Sequence, residues 1–318
     1  MQSKEIQVVP RYVLQEGGIS NLVDVKYLRS IFSSLSFRIS GTLIVGTADC
    51  TLNNQSILDY IKLITCEVNG GIKPKSMTGL MAYLVAQINH RVAPTLNLPA
   101  VGFATSPNAW SVEIPLDFEL LRHHSQEECL LNTGLIQGKL NNQFKVNVLL
   151  GDITNVATAG SGGTVAMGTT YCTIMGTLIN APSISYPINM ESMVKIDDIA
   201  GIGDFKTYAD LLSGRPLKSI YIIQKTAGGA VDNTLIQQVR IRTQSSNFLR
   251  EYDWDHLQDM MRRKYHLDVL PVGFGAIDLD DAHEDGHGIL NTARQQQVYL
   301  ELTTGTANQI SVATQEIV

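Results

Sequence analysis

A chain of 318 residues with 44% hydrophobic and only 17% charged residues can bury a sizeable core in one or two domains without external staples. Its formal net charge of -6 supplies no general basic surface for nucleic acid or acidic lipid, and no apolar run approaches the length of a membrane span. The N-terminus lacks the charged, apolar and small-residue regions of a signal peptide, which predicts a soluble protein made in the cytoplasm.

Residues 1 to 27 mix polar and apolar residues around Pro10 and Gly17-Gly18, and are read as an N-terminal arm to which the pattern assigns no conformation. Within them Lys4, Arg11 and Lys26 are matched by Glu5, Glu16 and Asp24, so the arm is not a basic one for gripping a genome. From Ile31 to Val45 the odd positions are nearly all apolar and the even ones are taken by Ser34, Ser36, Arg38 and Ser40, the pattern of a half-buried strand. A second strand is expected over Leu58 to Val68. Met77 to His90 then changes period: Leu80, Met81, Leu84, Val85 and Ile88 share one helical face. Alternation returns from Ser111 to Leu120, where Pro115 cannot donate to a ladder and therefore marks an edge or a bulge. Phe144, Val146 and Val148 alternate in the next strand, Gly160-Ser161-Gly162-Gly163 reads as a loop, and Tyr171 to Ile179 as a closing strand.

The order then repeats. Leu131-Asn132-Thr133 and its strand are echoed by Leu290-Asn291-Thr292 with Val298, Leu300 and Leu302. Leu28-Arg29-Ser30-Ile31-Phe32 returns as Leu217-Lys218-Ser219-Ile220-Tyr221, Ile61-Lys62-Leu63 as Val239-Arg240-Ile241, the helix as Trp254, Leu257, Met261 and Tyr265, and Leu116-Asp117-Phe118 as Ile277-Asp278-Leu279. Gln309 to Val318 closes the second copy as Tyr171 to Ile179 closes the first. The predicted class is therefore all-β: an arm over residues 1–27, a first sandwich over 28–200 and a second over 201–318, each with a short internal helix. The connection between them falls over Pro182 to Gly203.

Few residues carry a recognisable chemistry. Cys50, Cys66, Cys129 and Cys172 are widely spaced, without a CxxC pair or a metal-ligand spacing, and read as reduced, mostly buried thiols. The acidic segment around Asp278, Asp280, His283, Asp285 and His287 offers carboxylates and imidazoles for a divalent cation, but matches neither the EF-hand loop nor His-Glu-x-x-His. A solvated acidic loop is the plainer reading, and no cofactor is implied. Asp253 or Asp255 is placed as a helix N-cap and Trp254 in the core. His123-His124 has no partner at a characteristic spacing, and Gly160 to Thr164 lacks the Lys-Ser or Lys-Thr of a phosphate loop. There is no Gly-x-Ser-x-Gly elbow, so no catalytic constellation is read.

Several stretches carry a resemblance: Leu35 to Val45 with Ile39-Ser40-Gly41-Thr42-Leu43, Glu67-Val68-Asn69-Gly70, Ile114-Pro115-Leu116-Asp117-Phe118 and the Leu131-Asn132-Thr133 strand. From about Tyr27 to the C-terminus the chain resembles the double jelly-roll major capsid proteins of tailless, membrane-containing icosahedral viruses, that of the lipid-containing Flavobacterium phage among them. The resemblance implies a structural, non-enzymatic virion protein. It further implies a homotrimer of pseudo-hexagonal outline, contacts with neighbouring capsomers and other virion proteins, an internal membrane beneath the shell, and no sequence-specific binding of nucleic acid. Two other classes remain open: a carbohydrate-binding or glycan-active double jelly roll, and a minor vertex or spike protein of the same lineage.

Overall fold

The computed structural model describes residues 3–25, 31–68, 71–118, 135–136, 144–179, 189–199, 203–211, 215–243, 248–279, 290–291, 297–305 and 308–317. The chain divides into two compact units, Met1–Ile188 and Asn189–Val318.

The first unit contains β1 (Ser3–Leu14), β2 (Ile19–Val25), β3 (Ile31–Gly46), β4 (Cys50–Leu52), α1 (Ser56–Tyr60), β5 (Ile61–Val68), β6 (Ile72–Met77) and α2 (Gly79–His90). There follow β7 (Leu96–Asn97), β8 (Asn108–Asp117), β9 (Leu135–Ile136), β10 (Phe144–Leu150), β11 (Ala157–Ala159), β12 (Thr164–Met167) and β13 (Thr170–Ile179). One sheet has the order β1-β13-β3-β8-β7 and the other β2-β10-β5-β6. The second unit contains β14 (Asn189–Ile199), β15 (Gly203–Leu211), β16 (Pro216–Thr226), β17 (Ile236–Thr243), β18 (Phe248–Asp253), α3 (Trp254–Tyr265), β19 (Phe274–Asp278), β20 (Leu290–Asn291), β21 (Val298–Thr304) and β22 (Asn308–Ile317). Its sheets run β14-β22-β16-β19 and β15-β21-β17-β18.

Setting aside the short accessory strands, both units wind identically. With the principal strands numbered along each unit, one sheet has the order first, eighth, third, sixth and its partner second, seventh, fourth, fifth. All the pairs are antiparallel. This is the winding of a jelly roll, so the chain is a double jelly roll.

Alternation explains the cores. On β3, Leu35, Phe37, Ile39, Leu43 and Val45 are buried while Ser36 and Ser40 stay at the surface. Val112 and Ile114 of β8 and Ile174 of β13 join that inward face, opposite Ile64 and Cys66 of β5 and Val146 and Val148 of β10. Edge-on contacts of Tyr60 with Trp110 and of Phe118 with Phe144 add to it. In the second unit Ile220, Ile222, Val239, Ile241, Leu300 and Val312 belong to one buried cluster. α2 buries Leu80, Met81, Leu84, Val85 and Ile88, with Thr78 accepting from the Met81 amide as N-cap. α3 buries Trp254, Leu257, Met261 and Tyr265.

Some expectations change in detail. The residues read as an arm form β1 and β2, whose partners are β13 and β10. The unit division falls after Ile188 instead of at 200, because β14 pairs along its length with β22. The strand expected from Leu58 begins at Ile61; Ser56–Tyr60 is a helical turn entered through left-handed Gln55 and buried at four of its five positions, which no alternation can produce. Pro115 lies in a bulge-free ladder with β3. The amide of Glu113 points away from β3 to Thr95 O, and Pro115, two residues on, faces the same side beyond the end of β7, where a missing donor costs nothing.

The duplication extends to single hydrogen bonds. Phe118 N donates to Ser33 O and Leu279 N to Lys218 O, both at 2.8 Å, and Ser34 lies opposite Asp117 as Ser219 lies opposite Asp278. Ser34 is thus the counterpart of Ser219, four residues beyond the Ser30 that the sequence echo pairs with it. The strand equivalence is the same in both readings. Among the described residues no helix is long and apolar enough to cross a membrane.

Candidate binding groove

Of the acidic segment only Asp278 lies among the described residues; Asp280, His283, Asp285 and His287 lie outside them. Asp278 ends β19, where its Oδ2 is 3.0 Å from Lys264 Nζ and 3.6 Å from Lys218 Nζ and accepts from Tyr265 Oη at 3.5 Å. With 6% of its side chain exposed, this carboxylate pairs with two ammonium groups. The equivalent Asp117 accepts from His90 Nε2 at 2.9 Å. In each unit, then, a strand carboxylate fastens the last turn of the internal helix, where a cation also favours the helix dipole. The hydrogen bond to Asp117 raises the His90 pKa, against burial, which lowers it. Among the described residues no three His, Cys, Asp or Glu side chains converge for a metal.

The other singled-out residues are structural where they are described. Asp253 occupies the N-cap of α3 but makes no capping bond; its Oδ1 accepts from Gln238 Nε2 at 2.7 Å. Trp254 is core, and its indole N–H donates to Asn233 Oδ1 at 3.3 Å. Gly160 to Gly163 is a turn closed by Gly163 N to Gly160 O, and β12 starts at Thr164. Cys50, Cys66 and Cys172 are buried free thiols, burial pushing Cys66 and Cys172 up to about 12. His123, His124 and Cys129 lie outside the described residues.

Two polar sites went unread in the sequence. Glu301, buried on β21, accepts from Arg240 Nη2 at 2.6 Å and Arg242 Nε at 2.7 Å, its two neighbours on the adjacent β17. The second is a groove of about 700 Å³ on the outer face of the first unit's β1-β13-β3-β8-β7 sheet. Register builds it. Val13, Tyr171, Ser40, Ser111 and Asn97 fall in one row across the five strands. Ser40, Gly41, Ala109 and Ser111 make a low floor between taller side chains. Tyr171 stands on one side with the Arg11 guanidinium 3.6 Å over its ring. Asn97 stands on the other, its Nδ2 donating to Ser111 Oγ at 3.0 Å. Arg38, two residues from Ser40 on the same face, borders the groove.

The lining contains two guanidinium groups and no carboxylate. Glu113, opposite Arg38 in the ladder, accepts instead from Ser36 Oγ at 2.7 Å. Arg38 has no ion pair among the described residues. The arrangement can therefore present cationic donors beside hydroxyl and amide groups, and it holds no nucleophile paired with a base.

No family model matches the sequence, and no curated protein matches it. Solved structures do match along the whole chain. The crystal structure of the STIV MCP superposes with a TM-score of 0.76 at 11% identity, covering 100% of this chain and 97% of that one. The major capsid protein P2 from Bacteriophage PM2 gives a TM-score of 0.65 at 10% identity, with 99% and 97% covered. PBCV-1 VP54, fitted into a reconstruction of the virophage Sputnik, gives 0.66 at 10% identity, with 99% and 93% covered. At such identities the likeness is one of fold, and this chain has the double jelly-roll fold found in those viral major capsid proteins.

Proposed function

We propose that this chain is the major capsid protein of an icosahedral virus, a structural and non-catalytic component of the virion shell. The observation that carries the reading is the full-length match: both units and their order are shared, with 97% of the STIV MCP covered. The finer proposal is a homotrimer, contacting neighbouring capsomers and other virion proteins, in a shell that lies over an internal membrane. Two equally wound units per chain support it, because three chains then offer six similar wedges to a hexagonal lattice under closed three-fold symmetry. Residues 3–25 are built into sheets, which fits a shell that does not reach for the genome with that segment. An obligate contact of this kind buries on the order of 2,000 Å² or more. Negative-stain images and sedimentation of the purified protein test the proposal: hexagon-outlined, three-fold particles are expected, and a protein that stays monomeric at high concentration would overturn it.

A further inference from the structure

We propose that the groove across the five-stranded face of the first unit binds an anionic oligosaccharide, Arg11 and Arg38 taking its carboxylate or sulfate groups and Ser40, Ser111 and Asn97 its hydroxyls. Shape gives the first argument. Neighbouring strands are about 4.8 Å apart, so a row across five of them is about 19 Å long, the reach of a short chain of sugar rings. A volume of about 700 Å³ lies within the range of specific ligand sites.

Chemistry selects among the ligands that fit such a space. The groove runs at right angles to the strands, so a peptide in it finds no free ladder edge to extend. One ring face of Tyr171 is covered by Arg11, which takes that face from a nucleic-acid base or an uncharged sugar and puts a cation there instead. The lining has no exposed aliphatic side chain larger than Ala109, since Trp110 is 2% exposed, and exposed Val13 stands alone at the end of the row outside the lining, so an acyl chain finds no continuous seat. What remains is a hydroxyl-rich polyanion. Guanidinium groups bind carboxylate and sulfate through paired hydrogen bonds, and the absence of a lining carboxylate leaves that attraction uncancelled.

The inference is independent of the capsid reading and is tested separately. Isothermal titration of the purified protein would use a heparin-derived tetrasaccharide, a sialylated trisaccharide, the neutral counterpart of each, sodium sulfate, and phosphatidylserine vesicles. Binding of either anionic sugar, at least tenfold tighter than its neutral counterpart and weakening with salt, is the expected result. The two sugars separate sulfate from carboxylate as the recognised group. Arg38→Gln and Arg11→Gln are each expected to weaken binding about tenfold or more, with circular dichroism and sedimentation unchanged. The inference is overturned if neither sugar binds, if sulfate alone or the vesicles bind as well, or if both variants retain full affinity. Loss of assembly in folded Arg38→Gln together with no sugar binding in the parent protein would identify the groove as a subunit contact and overturn it too.

Discussion

Both tryptophans of the chain lie against a strand glycine, so that a side chain at either glycine would meet the indole. A Cβ added at Gly41 would lie 2.8 Å from Trp110 Cζ2, and one at Gly275 would lie 2.8 Å from Trp254 Cη2 and 3.0 Å from Leu257 Cδ2. Gly275→Ala is therefore expected to cost about 1–3 kcal/mol through overpacking, read as a lowered urea midpoint, whereas Gly102→Ala, whose nearest atom is 3.6 Å away, stays within about 0.5 kcal/mol. His90 supplies a second residue-scale test. Its folded pKa is raised above the ordinary 6.5, first by the hydrogen bond to Asp117, so its contribution to stability is complete below pH 6.5 and is lost as the pH rises through the folded value. In Asp117→Asn the His90 ring-proton titration followed by NMR should move down, and stability should vary less with pH over that window; an unmoved titration would show that the latch is not formed. The sequence displayed Asp117 and Asp278 as an echo but not their role, because the partners His90, Lys218 and Lys264 lie on other elements. The groove was hidden for the same reason. Arg38 and Ser40 are legible as outward residues of one strand, yet Arg11, Tyr171, Ser111 and Asn97 reach them only through the register of five strands.

At the scale of elements, the strands with the longest alternation of buried and outward residues are the most legible, and the opening strand of each unit is the least. β3, β8 and β10 hold their period of two and were read directly, whereas β1 shifts register between Gln7 and Val9 and again between Val9 and Tyr12. β14 shifts between Met193 and Lys195, and β15 shifts twice. Each bulge flips the inward face, so the opening strand of each unit lost its sequence signature, and both were read as arm or connection. The echo could still be found because the later strands and the helix carry it. The pairing of β1 makes a prediction that an arm does not. β1 covers one whole edge of β13, from Ser3 opposite Ile179 to Leu14 opposite Thr170. Deleting residues 3–14 bares that edge and removes buried Val9 and Leu14. The truncated chain should aggregate in size-exclusion chromatography, while a soluble, monodisperse product with the parent's circular dichroism would mean that β1 is dispensable.

For the whole molecule, the two units share a winding but differ in one useful place. In the first, β11, β12 and the Gly160 to Gly163 turn lie between β10 and β13, whereas in the second β21 and β22 are separated only by residues 305–307. The turn is exposed at Ser161 and Gly162, and Gly162 adopts a φ of +70° that needs no side chain, features of a loop tip that accepts insertion. A short epitope placed between Ser161 and Gly162 should leave the thermal midpoint within a few degrees of the parent. It also becomes a symmetry marker. Six similar sandwiches outline a hexagon whether they come from three duplicated chains or six single-unit ones, so the outline by itself cannot report the stoichiometry. An antibody fragment against the inserted epitope marks only first units. Images of the assembled particle should show three fragments, at alternate corners, on a species of about 104 kDa before labelling, three times the 34.8 kDa chain. Two fragments related by a dyad, or six around the ring, would replace the trimer with a different assembly while leaving the double jelly-roll fold untouched.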